Sequence, residues 1–359
     1  MTEQISLYRG TRVLVIAAAL VIVIEGINQA QSVLVSLFVA VFLAVIGTPP
    51  VLWLERKRIP SVIAVFFVVG GMIALLLMIG AVVGASLNSF YGALPFYQTR
   101  LQEQISTFQA FVASKGIRGV DKVLSGYVNP GAVMSLTARM LAQLGLAFSN
   151  IVLILLTVTF ILLEASSFPM KLRAFLGQSQ QTFPRVTRFV DDIKRYMVIK
   201  TVLSMATGIL IAIWLSILGV DFPILWGFLA FLLNYVPNVG SAVAAVPAVL
   251  LALIQLGLGS AALAAVGYLA VHFILGYVIE TRFMGRRLGL STLVVFLSLI
   301  FWGSLLGPIG MVLCIPFTMT LKFACESSEE TRWIAMLLGR EPCTDGIPPV
   351  SDPGADLGS

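Results

Sequence analysis

A chain of 359 residues in which 58% are hydrophobic and only 11% charged is not composed like a soluble domain, where about a quarter of the residues carry charge. The formal net charge of +6 matches the excess of Lys and Arg that membrane proteins keep in cytoplasmic loops, and requires no nucleic-acid partner. Cys314, Cys325 and Cys343 are odd in number and lack metal-ligand spacing, which excludes a disulfide framework or a cysteine metal centre.

Arg9 and Arg12 lead into a first apolar stretch at 13–27. It exits through Gly26-Ile27-Asn28-Gln29-Ala30 without an A-x-A site, so a retained transmembrane helix is expected rather than a cleaved signal. Further apolar stretches lie at 32–47 and 61–87, with the basic turn Glu55-Arg56-Lys57-Arg58 between them. Residues 88–145 are amphipathic, with Leu101, Ile105, Phe108 and Val112 at helical spacing, and Asn129-Pro130 reading as an N-cap followed by proline at the first helical position. A span at 146–163 follows. The basic region 164–200 then carries the stripe Val186, Phe189, Val190, Ile193 and Met197 into a span at 201–218. A sixth full span lies at 259–279, and the proline-rich tail from Glu341 reads as disordered. The expected organisation is N-terminal transmembrane helices at 1–87, a periplasmic helical region at 88–145, a helix and basic linker at 146–200, a transport core at 201–325 and a cytoplasmic tail at 326–359.

Two apolar stretches are too long for single spans. The first, 222–254, would extend about 50 Å as one helix at 1.5 Å per residue. Asn234-Tyr235-Val236-Pro237-Asn238-Val239-Gly240-Ser241 interrupts it, and Pro247 follows. The second, 290–323, contains Gly303, Gly307-Pro308-Ile309-Gly310 and Pro316. Prolines and glycines in this density break helices, so both stretches are expected to be re-entrant hairpins; the alternative is eight spans. Distribution of charge favours hairpins: they leave 18 Lys and Arg inside and 5 outside, against 15 and 8 for single crossings. The fold class is therefore an all-α polytopic membrane protein with about six full spans, two hairpins and both termini cytoplasmic. The hairpins open from opposite sides and share a weak pattern, the arrangement of inverted repeats that meet around a solute near the midplane. Two proline-kinked spans are the plainer account.

Broken backbone at membrane depth is tolerated only when buried in protein or lining a cavity. The candidate solute-binding residues are therefore Asn234, Tyr235, Pro237, Asn238, Gly240 and Ser241 at one break, with Gly307, Pro308 and Gly310 at the other. Their amides and hydroxyls could bind a polar solute, or simply cap helix ends and join neighbouring helices. His272, the one histidine, and Glu280 are candidates for ion coupling. Packing accounts for His272 as well, and Arg282, Arg286 and Arg287 are near partners for Glu280. Gly208, Gly227, Gly267 and Gly276 are positions for close helix approach. A GxxxxGK[ST] loop, an HExxH zinc motif and a GxSxG elbow are all missing from the sequence, so neither an enzyme nor a cofactor or metal site is expected.

The run Asn234–Ser241, the longer run from Ile279-Glu280-Thr281-Arg282 to Phe301-Trp302-Gly303, and the closing Leu306-Gly307-Pro308-Ile309-Gly310 and Ile315-Pro316 resemble the autoinducer-2 exporter family. The resemblance covers about residues 10–340 and includes Tyr196-Met197-Val198-Ile199-Lys200. Members commonly carry proline where Thr281 stands here. The resemblance implies a bacterial inner-membrane protein in contact with lipid, a homo-oligomer with five copies as the expected number, and export of autoinducer-2. Some relatives are described as sodium/proton antiporters. The leading expectation is thus a secondary transporter of autoinducer-2 or a similar small polar solute by alternating access. A cation/proton antiporter is the runner-up, and a membrane scaffold using 88–145 is the alternative of another class.

Overall fold

The computed structural model describes residues 21–114, 151–165, 182–237, 239–280, 290–326 and 331–339, with isolated positions 11, 15, 18, 19, 282 and 329. These residues are helical throughout, apart from turns and a single antiparallel bridge between Leu290 and Gly339. In chain order the helices are α1 (Gln31–Arg56), α2 (Ser61–Ser114), α3 (Ile151–Ala165), α4 (Thr182–Leu218), α5 (Pro223–Leu233), α6 (Gly240–Leu256), α7 (Leu258–Val271), α8 (Thr292–Glu326) and α9 (Arg332–Leu338). A π-helical segment, His272–Ile279, continues α7.

Five stretches are long and apolar enough to cross a membrane among the described residues: α1, Ser61–Arg100 of α2, Val186–Leu218 of α4, Leu258–Ile279 and α8. Large apolar side chains such as Phe67, Val152 and Leu258 stand exposed on the outside, as expected of a surface solvated by lipid rather than water.

A helical segment at 21–29 meets α1 at Ala30 with no loop between. There the Ala30 carbonyl accepts the first amide bonds of α1, from Val33 and Leu34. Helix α1 continues through Pro49 and Pro50 to Arg56, past the end of the apolar stretch at 47. Helix α2 is 54 residues long and passes residue 88 without interruption, so it extends about 80 Å. The amphipathic region thus begins as a direct continuation of a span, because Pro95 alone does not end the helix. Residues 115–145, including Asn129-Pro130, lie outside the described residues. So do 164–181 apart from Glu164 and Ala165; the rest of the basic region forms one helix with the following span.

Packing divides into three cores. Ala40, Ala44, Ala64, Val65, Val69, Ile154 and Val158 join α1, α2 and α3, the small residues allowing close approach. Helices α4 to α7 and part of α2 surround Trp226, Leu225, Ile211, Leu251 and Phe90. Helix α8 with parts of α1 and α4 encloses Leu299, Leu313, Cys314 and Ile315.

Helices α4 and α5 approach so closely at Gly208 and Gly227 that a methyl on Gly208 would lie 2.7 Å from the Gly227 carbonyl oxygen. Gly267 leaves room for the Trp214 indole, whose Nε1 donates to the Leu263 carbonyl at 3.1 Å. Gly276 lies against the His272 ring.

Both proline-glycine breaks reverse the chain. Helices α5 and α6 fold back until the Asp221 amide donates to Gln255 Oε1 at 3.0 Å. Within α8, Gly307 has φ 66° and ψ −150°, a conformation reserved in practice for glycine. The two arms then return side by side: Trp302 Nε1 donates to Thr318 Oγ1 at 3.2 Å, although sixteen residues of straight helix would span about 24 Å. The turns share one detail. A side chain on Gly240 would run into the Leu233 carbonyl, and one on Gly310 into the Trp302 carbonyl.

The open end of the first hairpin is tied to α2, where Tyr97 Oη donates to Asp221 Oδ2 at 2.6 Å. Removing it with Tyr97→Phe should cost about 1.5–3 kcal/mol, the range for hydrogen bonds to charged groups. Thermal unfolding in detergent is the check, and an unshifted midpoint would show that the bond contributes nothing.

Candidate functional site

Seven buried polar or charged side chains occur among the described residues: Ser36, Lys200, Ser204, Thr207, Asn234, Ser298 and Thr318. Ser36, Thr207, Ser298 and Thr318 donate to carbonyls three or four residues back in their own helices. That satisfies a hydroxyl locally and marks no site. Lys200, Ser204 and Asn234 instead make their hydrogen bonds between elements, and they lie together.

The first hairpin turn supplies Asn234 and Tyr235. Asn234 Nδ2 donates to Ser204 Oγ at 3.0 Å, and Tyr235 Oη to Thr201 Oγ1 at 2.9 Å. The Thr201 hydroxyl in turn donates to the Met197 carbonyl at 2.8 Å. Phe42 and Phe231 pack edge-on to the Tyr235 ring. One position before Thr201 on α4, Lys200 Nζ reaches both carboxylate oxygens of Glu280, at 2.7 and 2.9 Å. The pair is enclosed, with side-chain exposures of 6% and 21%. Such a pair is costly to desolvate and survives only with good geometry, here a two-pronged contact.

The π-helix places the carboxylate. Glu280 follows its last residue and His272 is its first. Wide helical turns of this kind are rare and are found frequently at functional sites. His272 Nδ1 and Tyr268 Oη are buried without a hydrogen-bond partner, and buried polar atoms left so are rare. His272 lies within electrostatic reach of both Lys200 and Glu280, and Tyr196 within reach of Glu280, Tyr235 and Cys314.

Sequence reasoning placed Asn234 and Tyr235 at membrane depth and Glu280 at the end of a span, but did not find their partners. Glu280 binds Lys200, eighty positions away; of the following arginines the one described, Arg282, is exposed. Pro237 is half-buried in the turn, and Ser241 half-buried in the first turn of α6. Asn238 lies outside the described residues, as do Arg286 and Arg287. Gly240 and Gly310 hold the two turns closed. Pro308 is exposed.

The two hairpin tips do not converge. Gly307 sits beside the side chain of Gln31, whereas Tyr235 packs on Phe42. Those positions are eleven residues apart on α1, about 16 Å along its axis. The tip residue Val236 lies instead among Leu299, Leu313, Cys314 and Ile315 on the arms of the second hairpin. The tip of the first hairpin therefore meets the arms of the second, and the polar cluster belongs to the first tip, α4 and the π-helix. Only Tyr196–Lys200, within the family-like runs, gave any sequence signal for the missed partner.

Residues 13–330 match the model of the AI-2E family transporter. The AI-2 transport protein TqsA of Escherichia coli K12 is 38% identical over 338 residues, covering 94% of this chain and 98% of that protein. The putative transport protein YhhT of the same strain is 34% identical over 330 residues, covering 92% and 95%. A putative transport protein of Haemophilus influenzae is 33% identical over 336 residues, covering 91% and 96%. The chain belongs to the AI-2E family of membrane transporters.

Proposed function

We propose that this transporter exports autoinducer-2, or a similar small polar solute, across the bacterial inner membrane by alternating access. The observation that carries the reading is the buried polar tip of the first hairpin, where Asn234 and Tyr235 meet Ser204 and Thr201 one residue from the Lys200–Glu280 pair. Amide and hydroxyl groups of this kind match a hydroxylated solute, and desolvating them is costly unless something uses them. The hairpins are re-entrant in this reading, entering from opposite faces, and both termini are cytoplasmic. Movement of the hairpin-bearing part opens the site to each side in turn, in a homo-oligomer of five copies.

The relative named for AI-2 transport supports the choice of solute. The runner-up is cation/proton exchange, favoured by one observation: Glu280 and His272 place ionisable groups at the cluster.

Flux of labelled autoinducer-2 in proteoliposomes, beside a sodium/proton exchange assay on the same vesicles, separates the two. Asn234→Ala is expected to lower autoinducer-2 flux about tenfold, the equivalent of losing about 1.4 kcal/mol of transition-state stabilisation. Exchange of cations without autoinducer-2 flux would sink the first reading.

A further inference from the structure

Resting on the transporter reading, we infer that Glu280 is a shared acceptor for the solute and for a coupling proton, with Lys200 as its tethered counter-ion. The geometry begins with the pair itself. Lys200 Nζ donates to both oxygens of Glu280, so the carboxylate is held and aimed by two hydrogen bonds from a paired cation. Without that tethered ammonium, an ionised carboxylate this enclosed would have to pair with another cation or take up a proton.

Among the described residues, the titratable groups around the pair come from several packed elements. Tyr196 shares α4 with Lys200, His272 begins the π-helix, Tyr235 comes from the first hairpin tip and Cys314 from the second hairpin. Arg282 is exposed. None of these supplies a second carboxylate, so among the described residues Glu280 is the acid that a proton can neutralise at the cluster.

A solute with adjacent hydroxyl groups can donate to the ionised carboxylate while accepting from Lys200 or Tyr235. Uptake of one proton by Glu280 converts that acceptor to a neutral acid, weakens the Lys200 contacts and discharges the solute. Release of the same proton on the other side restores the ion pair. Solute and proton exclude one another, so the cycle exchanges one for the other, and an inward proton gradient drives export. The π-helix fits this role because its wide turn lets the Glu280 side chain shift relative to α4 without breaking α7.

The test uses the full chain in proteoliposomes carrying a pH-sensitive dye, with labelled autoinducer-2 as the probe. A proton gradient opposed to solute movement should raise autoinducer-2 accumulation at least tenfold, with matching proton counterflow. Glu280→Gln should abolish both. Because a single change can leave a buried charge and prevent folding, Lys200→Met/Glu280→Met is the second variant. It removes both charges together, and it too should lose gradient-driven accumulation.

Wild-type autoinducer-2 flux without proton counterflow would overturn the inference, as would gradient-driven accumulation that survives in Glu280→Gln. If autoinducer-2 does not move but sodium drives proton release that Glu280→Gln abolishes, the solute assignment fails while Glu280 stands as the proton carrier.

Discussion

Lys200→Met is expected to lower the stability of the folded protein by about 3–5 kcal/mol, the cost of leaving one partner of a buried ion pair uncompensated. The side chain of Lys200 is 6% exposed, and it is the hydrogen-bond donor on both oxygens of Glu280. Removing it leaves a carboxylate whose side chain is 21% exposed without its two hydrogen bonds, near Tyr196. The companion change Lys200→Met/Glu280→Met replaces both charges by apolar side chains of similar length. It should return stability to within about 1 kcal/mol of wild type, because apolar replacement of a whole buried pair is often neutral or better. Thermal unfolding of the purified variants in one detergent checks both. Equal losses in the single and double variants would show that packing of the side chains, not charge balance, sets the cost.

Gly240→Ala and Gly310→Ala should each destabilise the protein by about 1–3 kcal/mol or more, as expected for extra volume forced into a packed site. In both cases the added methyl meets a backbone carbonyl, that of Leu233 or Trp302, and a backbone oxygen cannot swing away as a side chain can. The obstacle is the same at the two hairpins, which makes the pair a test of their equivalence. Gly70→Ala on α2, where nothing lies within 4 Å, is the control. It should stay within about 0.5 kcal/mol of wild type. A small effect at Gly310 with a large one at Gly240 would mean that the two turns, despite their shared geometry, are held by different forces.

The hairpins were legible because their breakers are written locally: Pro237 and Gly240 in one stretch, Gly307-Pro308 in the other. Helix-stopping residues act through their own backbone, so their effect is visible without knowing the fold. The partner of Glu280 was not legible for the opposite reason. Arginines two to seven positions away were the obvious counter-ions, yet the fold brings Lys200 from another helix. The helical spacing beyond residue 88 was legible, but its continuity with the span before it was not; Gln, Ser and Thr at the far end of α2 change the solvent it prefers without breaking its hydrogen bonds. Periodicity gave no hint of the π-helix, since His272–Ile279 is as apolar as the α-helix before it. Convergence of the hairpin tips was inferred from their similarity, but similarity of two motifs does not set how far each inserts.

The π-helix also fixes the phase of everything that follows it. An α-helix turns about 100° per residue, and a π-helical turn holds more residues than an α turn, so closing His272–Ile279 into ordinary α-helix with every residue kept would swing Glu280 roughly a quarter-turn away from Lys200. The chain would lose no charge and no breaker, yet the ion pair would be gone. A relative that keeps every residue here but closes the segment into α-helix would therefore carry the carboxylate in its sequence and still lack it at the site.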